Sequence, residues 1–235
     1  MSELRETHPA GADLRRLEAL ADARALDPSR PAYDPVAEYR RTRGPRQLED
    51  SEADDYGLAI WGGATDSLAV EQRAALREYS GESIGGATCY REINSYLRGR
   101  GPATAQVESH IRHIDTALEL VPVPEDLVVV RGVDPRVFSS PVDRLSGRTI
   151  ADNAFLSTSI GTTPAFDHDA WIYLTVPKGT PAIYMEAITE CPGERELLLG
   201  RGLSYLVDRV DRDAVRGKWQ VHGRVLPPDE MRSGS

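Results

Sequence analysis

The chain has 235 residues, 40% hydrophobic and 28% charged, which is ordinary for a soluble protein of one sizeable domain or two small ones. No apolar run approaches the roughly 20 residues that a membrane-spanning helix needs, and Met1 to Pro9 lack the apolar core of a secretory signal. The formal net charge of −9 argues against a broad nucleic-acid-binding surface, since phosphate binding rests on clustered positive charge.

The first half of the chain predicts helices. A short helical pattern around Leu14, Leu17 and Leu20 precedes prolines that would break it, so residues 1–47 are predicted as a helix and a linker. The globular domain is predicted at residues 48–228, followed by a tail at 229–235. A Ser-Gly-rich connection is predicted at 80–86, with Gly99 as a helix stop. Apolar residues at helical spacing predict further helices at Ser67–Tyr79, Thr88–Arg98 and Ala105–Leu120.

After Pro124 the apolar residues follow the period of strands. The predicted strands are Leu127–Arg131, Phe155–Ser159, Trp171–Val176, Ala182–Met185, Glu196–Leu199, Tyr205–Val210 and Trp219–Leu226. Helices first and strands later, without βαβ alternation, predict an α+β fold. Cys89 and Cys191 lie far apart and resemble neither a metal site nor a disulfide framework, which favours a reduced compartment.

Two of three short motifs in the strand-rich half carry groups suited to binding a cofactor. Arg131 ends a β-rich run, where the fork of a guanidinium can hold a phosphate. In the run Phe155–Ser159, alternation places Ser157 and Ser159 on one face of the strand and Thr158 on the other. Taken singly, such an arginine is more often an exposed charge, and such serines are more often a polar strand edge.

The third motif, Gly193–Glu196, carries a pair of carboxylates. Glu194 and Glu196 stand at i and i+2 at the start of a predicted strand, so they are expected to project to the same side. Two like charges at one place cost free energy unless a cation or an electron-poor centre lies between them. The motif therefore predicts a site for such a centre, although exposed acidic pairs at strand ends are common.

In this order, the three motifs resemble those of the R-S-E class of mono-ADP-ribosyltransferases, particularly the enzymatic components of clostridial binary toxins. Tyr79–Gly81 and Tyr90–Arg98 look like the helical stretch that precedes the arginine in that group. Val176–Gly179, followed by Ala182–Tyr184, is similar to the connection between the serine motif and the glutamates. The resemblance covers residues 55–227.

The resemblance implies the ADP-ribosyltransferase fold, with two packed mixed β-sheets around an NAD cleft and helices on the N-terminal side. It implies four catalytic residues. Arg131 would hold the phosphates of NAD⁺, and Ser157 would position both the nicotinamide ribose and the glutamate. Glu196 would stabilise the oxocarbenium-like ribose, a problem that glycosidases also solve with carboxylates. Glu194 would hold and help to deprotonate an acceptor arginine, whose guanidinium is otherwise charged and a poor nucleophile.

The resemblance also implies contacts with NAD⁺, which is the substrate, and no metal. A loop at Gly161–Ala170 would cover the nicotinamide, with Phe166 either stacked on it or simply packed in the loop. Ile188–Gly193 would form the turn that recognises the target. The residues expected to contact NAD⁺ are Tyr79, Asn94, Arg131, Gly132, Ser157, Thr158, Ser159 and Phe166.

The implied function is transfer of ADP-ribose from NAD⁺ to an arginine of a host or target protein, by a toxin, an effector or a phage-encoded modifier. Action in the cytoplasm of a target cell is implied, with a cognate immunity protein or a delivery system as further partners and no membrane. Cys191 stands near the place of the binary toxins' aromatic turn residue, and Asp167–Asp169 offers no match for their basic one; both departures argue against actin as the target. ADP-ribosylation of nucleic acid, NAD⁺ hydrolysis and a non-catalytic NAD-binding or interaction module remain alternatives.

Overall fold

The computed structural model of the chain describes residues 44–81 and 90–227. The chain divides into two units, Met1–Pro45 and Arg46–Ser235, and the second holds every element described below. The predicted helix around Leu14 to Leu20, most of the predicted linker and the predicted tail lie outside the described residues. So do residues 82–86 of the predicted connection and the first two residues of the helix predicted at Thr88–Arg98. Within those residues, no helix is long and apolar enough to cross a membrane.

The helices that the structure describes confirm the three that were predicted at residues 67–120 and add one more. The predicted helix at Ser67–Tyr79 begins later, at Val70, because the chain first turns away from the preceding helix. Gly99 has a φ of +71° and donates its N–H to the Tyr96 carbonyl at 2.8 Å, so it ends its helix as predicted. The four are α1 (Asp50–Asp66), α2 (Val70–Ser80), α3 (Tyr90–Leu97) and α4 (Ala105–Leu118).

Helix α1 was not predicted, because its sequence is poor in helix formers. Three glycines, at 57, 62 and 63, lie in its interior, where each costs up to about 1 kcal/mol relative to alanine. Tertiary contacts stabilise it instead. Trp61 is fully buried and donates its indole N–H to the Val121 carbonyl at 2.7 Å, and Asp54 accepts a hydrogen bond from the Tyr184 hydroxyl at 2.5 Å.

All seven predicted strands are present, with ends that differ by at most two residues. An eighth, β2, was not predicted; it is four residues long and half exposed, so it lacks an apolar run. The strands are β1 (Leu127–Val133), β2 (Thr149–Asp152), β3 (Leu156–Ile160), β4 (Ala170–Val176), β5 (Ala182–Tyr184), β6 (Glu196–Leu199), β7 (Leu203–Arg212) and β8 (Trp219–Val225).

The strands form a mixed sheet in the order β2-β7-β8-β4-β1-β3-β6-β5, in which only β4 and β8 run parallel. The β1–β3 ladder is short, with Val129 opposite Ile160 and Val130 opposite Ser159. The two expected sheets are therefore joined by hydrogen bonds into one eight-stranded sheet, and the short β1–β3 ladder is the seam between them. One hydrophobic core includes Trp61 of α1, Leu174 of β4 and Leu198 of β6, so it joins a helix to strands on both sides of the seam. These observations confirm the α+β class.

We expect Gly57→Ala to destabilise the fold, because a Cβ at this position would overlap three ring carbons of the buried Tyr184. Overpacking of this kind typically costs about 1–3 kcal/mol. Gly63→Ala is the matched control, since a Cβ there meets nothing within 4 Å, and the better helix former should stabilise α1 by up to about 1 kcal/mol. Urea denaturation measures both free energies of unfolding. Equal effects of the two substitutions would contradict the packing of Tyr184 on α1.

Candidate active site

A cavity of about 720 Å³ lies beside the β1–β3 seam, lined by residues of α2, α3, β1, β3 and the turn before β6. Its volume is in the range of sites for small ligands and cofactors. The structure brings together in its wall all ten residues that were predicted to be catalytic or to contact NAD⁺. They are Tyr79, Asn94, Arg131, Gly132, Ser157, Thr158, Ser159, Phe166, Glu194 and Glu196.

Strand pairing places the three sequence motifs side by side. Ser159 of β3 lies opposite Val130 of β1 on one side and opposite Glu196 of β6 on the other. Arg131 follows Val130, and Ser157 lies two residues from Ser159 on the same face of the strand. Arg131 and Glu196 are 65 positions apart in the chain, but the order β1-β3-β6 brings their strands close together, and both residues line the cavity.

The Glu196 carboxyl is the most buried acidic group of the site, with a relative exposure of 6%. Burial raises its pKa to about 7, and the charges of Glu194 and Glu186 act in the same direction. A hydrogen bond with Ser157 and the charge of Arg131 oppose this shift. The carboxyl group is thus poised to change charge near neutral pH, which is a property of residues at functional sites.

Arg131 and Asn94 present buried polar atoms that bond to nothing else in the described part of the chain. These are the Nε of Arg131, a donor, and the Oδ1 of Asn94, an acceptor. The Asn94 side chain is fixed by its Nδ2, which donates to the Tyr79 hydroxyl at 3.0 Å. Burial lowers the pKa of Arg131, although Tyr205 and Asp152 counteract it. Buried polar groups normally have partners, so the two atoms are exceptions among the described residues, and both belong to residues that line the cavity.

The structure corrects the reason why Glu194 and Glu196 share one side. Strand β6 begins at Glu196, so Glu194 lies in the preceding turn, and strand alternation does not relate the two. Arg195 between them has a φ of +51° and is the one non-glycine residue in the described ranges with a positive φ. This left-handed conformation costs about 1–3 kcal/mol for a residue with a Cβ. Burial, followed by the charge of Glu186, raises the pKa of the Glu194 carboxyl.

Glu186 holds this turn and was not singled out in the sequence. Its carboxylate accepts the backbone N–H of Gly193 at 2.9 and 3.1 Å and that of Arg195 at 2.6 Å. These bonds satisfy the amides of a turn that has no strand partner. Acidic residues that accept several backbone N–H groups leave no local motif, so only the fold identifies Glu186.

The three hydroxyls of the serine motif have different partners. Ser157 bonds to Glu196, whereas Thr158 donates across the sheet to the Leu197 carbonyl at 2.7 Å. Ser159 accepts the Ala165 N–H at 3.0 Å and so holds the loop that was predicted to cover the cavity. Only the Ser157 hydroxyl is engaged with a carboxylate of the site.

The loop at residues 161–170 lies over β1 and exposes an aromatic ring. A Cβ at Gly132 would overlap the Phe166 carbonyl oxygen, so a glycine is needed where the loop crosses the strand. Phe166 is 58% exposed and stacks on His168 with ring centroids 6.4 Å apart. Lys218, which is remote in the sequence, donates to Asp167 at 2.5 Å and brings a basic group to this loop.

An ion pair joins Arg98, the residue that follows α3, to the edge strand β2 beside the cavity. Arg98 donates from two nitrogens to Asp152, at 3.0 and 2.7 Å, and Asp152 also accepts the Ala154 N–H at 3.0 Å. Arg98 lay in the helical motif, but its partner stands in a strand that was not predicted. In the residues that the structure describes, no three His, Cys, Asp or Glu side chains are grouped to hold a metal ion.

Comparison with protein families and characterised proteins shows which family has this sequence pattern. The family model described as ADP-ribosyltransferase exoenzyme matches residues 53–223. The NAD(+)–protein-arginine ADP-ribosyltransferase Tre1 of Pseudomonas putida strain GB-1 is 30% identical over 131 residues, which are 54% of this chain and 25% of that protein. The matched region therefore spans a quarter of that relative's length.

Solved structures share the fold at low sequence identity. The C3 exoenzyme of Clostridium limosum has a TM-score of 0.68 at 20% identity, covering 78% of this chain and 98% of that one. C3stau2 of S. aureus, solved with NAD, has a TM-score of 0.67 at 20% identity, covering 77% and 98%. The enzymatic component C2-I of the C2 toxin of Clostridium botulinum has a TM-score of 0.65 at 22% identity, covering 77% and 50%.

We expect Glu196→Gln to be more thermostable than the wild type at pH 8, with a difference that shrinks towards pH 5. The folded chain binds the Glu196 proton more tightly than the unfolded chain, whose ordinary pKa is 4.5. The contribution of this proton to the free energy of unfolding is therefore fully present below pH 4.5, and it is lost as pH rises through the folded pKa of about 7. A pKa shift of this size corresponds to a loss on the order of 3 kcal/mol in the wild type. The glutamine side chain of the variant carries no charge at any of these pH values, so the variant does not lose this free energy. Melting temperatures across this range measure the effect, and a constant difference would contradict the raised pKa.

Proposed function

The chain belongs to the ADP-ribosyltransferase exoenzyme family, and on that premise we propose that it cleaves NAD⁺ and transfers ADP-ribose to an arginine of a target protein. The observation that best supports this proposal is that Arg131, Ser157, Glu194 and Glu196 line one cavity, although they come from separate parts of the chain. In our proposal the catalytic domain spans residues 48–228, and the protein acts on its target as a toxin-like effector or a phage-encoded modifier.

The cavity suits a ligand that is negatively charged in one part and becomes positively charged in another. Arg131, Arg98 and Arg100 line it and offer guanidinium donors to a pyrophosphate. Glu196 and Glu194 line it as well and offer carboxylates. Asn94 lines it too and offers an amide side chain, which its hydrogen bond to Tyr79 holds in place. These features support NAD⁺ as the substrate.

Cleavage of NAD⁺ breaks the bond between C1′ of the ribose and the nicotinamide nitrogen. The bonding electron pair leaves with nicotinamide, which becomes neutral, and C1′ takes on oxocarbenium character. In our proposal the Glu196 carboxylate, held by Ser157, stabilises this charge in a water-poor wall where electrostatic interactions are strong. In this proposal the carboxylate that stabilises the ribose cation is held in position by strand pairing before the substrate binds.

Arginine as the acceptor rests on Glu194. A guanidinium carries its proton at neutral pH and must lose one to attack C1′. A half-buried carboxylate with a raised pKa can accept hydrogen bonds from a guanidinium and then take that proton. The new bond joins a guanidinium nitrogen to C1′, and nicotinamide and one proton are released. The name of the Pseudomonas putida relative supports the same acceptor.

We expect Glu196→Gln to reduce nicotinamide release by about 10² to 10³, the usual effect of removing one preorganised electrostatic group. In the wild type, kcat/KM should rise with pH and level off above about 7, because only the carboxylate stabilises the ribose cation. The variant should lose this pH dependence. Glu71→Gln, an exposed change on α2, is the matched control and should keep both rate and profile. Near-normal turnover of Glu196→Gln would remove Glu196 from the mechanism.

We expect Glu194→Gln to separate the two activities. Nicotinamide release to water should remain largely intact, since water needs no carboxylate to hold a guanidinium. Labelling of the target should fall by up to about 10². Release of nicotinamide and transfer of labelled ADP-ribose from NAD⁺ to a host lysate, measured on the same preparation, give both rates.

Digestion of the labelled lysate with protease or nuclease, followed by mass spectrometry, identifies the acceptor. Label that survives protease but not nuclease would point to nucleic acid as the acceptor. Release of nicotinamide without label would indicate NAD⁺ hydrolysis, and absence of both would indicate a non-catalytic module. Equal loss of both activities in Glu194→Gln, or loss of neither, would contradict the role of Glu194.

A further inference from the structure

The Arg195 side chain points away from the cavity that its two neighbours line. It is not part of the cavity wall, although Glu194 and Glu196 are. Its guanidinium donates to the Ile160 carbonyl at 3.3 Å, and to the carbonyl and hydroxyl oxygens of Thr163 at 3.1 and 3.0 Å. Its own carbonyl accepts the Ile160 N–H at 3.0 Å. The turn is thereby attached to the end of β3 and to the start of the covering loop.

Asp50, the first residue of α1, also binds the start of the covering loop. Its carboxylate accepts the N–H groups of Thr162 and Thr163 at 2.7 and 3.2 Å, and the Thr163 hydroxyl at 2.5 Å. Arg195 lies 3.7 Å from it. A Cβ at Gly161, where φ is +118°, would overlap this carboxylate, so the approach is tight. Asp50 and Arg195 thus meet on Thr163.

These contacts explain how Arg195 keeps a left-handed backbone. A residue with a Cβ adopts this conformation only when its surroundings over-determine it. Here Glu186 holds the backbone N–H, and Ile160, Thr163 and Asp50 hold the carbonyl and the guanidinium. The left-handed step turns the chain between two carboxylates so that both reach the cavity. A turn without these anchors would relax towards the ordinary backbone region, where the two carboxylates no longer face one point.

We propose that Arg195 and Asp50 are a pair of positioning residues that hold Glu194 in place beside Glu196 and connect the acidic turn to the loop over the cavity. This inference rests on the proposed function for its kinetic consequence. Glu196 is also fixed by its pairing with Ser159, whereas Glu194 is fixed only by the turn. Loosening the pair therefore displaces Glu194 more than Glu196.

Arg195→Lys tests the kinetic consequence. Lysine keeps the charge but is a point donor and cannot serve Ile160 and Thr163 together as the planar fork does. We expect target labelling to fall about tenfold more than nicotinamide release, since misplacement by about 1 Å can cost up to 10² in rate. The ratio of the two rates does not depend on how much protein is folded. A stability role alone would therefore leave that ratio unchanged.

Asp50→Asn tests the connection itself through amide hydrogen exchange followed by mass spectrometry or NMR. The side-chain oxygen of the introduced asparagine can still accept the Thr162 and Thr163 N–H groups, but the neutral amide cannot form an ion pair with Arg195. We expect faster exchange at Gly193 and Arg195, although both donate to Glu186 and not to Asp50. Asp115→Asn and Arg201→Lys are matched controls. They alter an Asp–Arg pair with an Nε–carboxylate distance of 3.1 Å outside the cavity wall and should change neither readout.

The outcomes separate this inference from the proposed function. A wild type that releases no nicotinamide would overturn the proposed function, and the exchange experiment would still decide the connection. An unchanged ratio of labelling to release in Arg195→Lys would overturn the positioning role. Exchange changes in Asp50→Asn that are confined to Thr162 and Thr163 would show that the loop and the turn are independent.

Discussion

The register across β1, β3 and β6 is the constraint on which the rest of the site depends. Val130, Ser159 and Glu196 stand opposite one another on three adjacent strands, although each strand comes from a different part of the chain. A slip of one residue in the β3–β6 ladder would turn Ser157 and Glu196 to opposite faces of the sheet. The β1–β3 ladder has only two residue pairs, so the hydrophobic core on both sides of it must hold the register.

Burial then gives the site its electrostatic character. The wall that excludes water raises the pKa of Glu196 and lowers that of Arg131, so the same desolvation disfavours both charges. The charge of Arg131 partly offsets this cost for Glu196, and Tyr205 and Asp152 do so for Arg131. The buried Nε of Arg131 and Oδ1 of Asn94, which lack hydrogen-bond partners among the described residues, add a further unfavourable free energy. Buried charges of this kind lower the stability of the fold, but they are preorganised. ADP-ribosyl transfer would require such preorganised charge.

The sequence predicted elements well where local patterns agree with the tertiary structure. Amphipathic spacing gave α2, α3 and α4, and β-rich runs gave all strands but β2, since in these segments the periodicity reflects one buried face. Helix α1 contradicts its own propensities through three glycines and is held by Trp61 and Tyr184. Strand β2 is short and half exposed, and its pairing with β7 has no local signal. Both were therefore beyond prediction.

The sequence by itself determined the chemistry of the motifs, their order and the family, because the types and spacing of Arg131, Ser157 and the two glutamates are local properties. The ten predicted site residues do line one cavity, and their individual roles remain predictions. Only the tertiary structure decided that Arg195 is left-handed and that Glu186 and Asp50 hold the site. Their bonds run to backbone amides and side chains that are remote in the chain or follow no motif, and a sequence pattern does not encode which groups meet there.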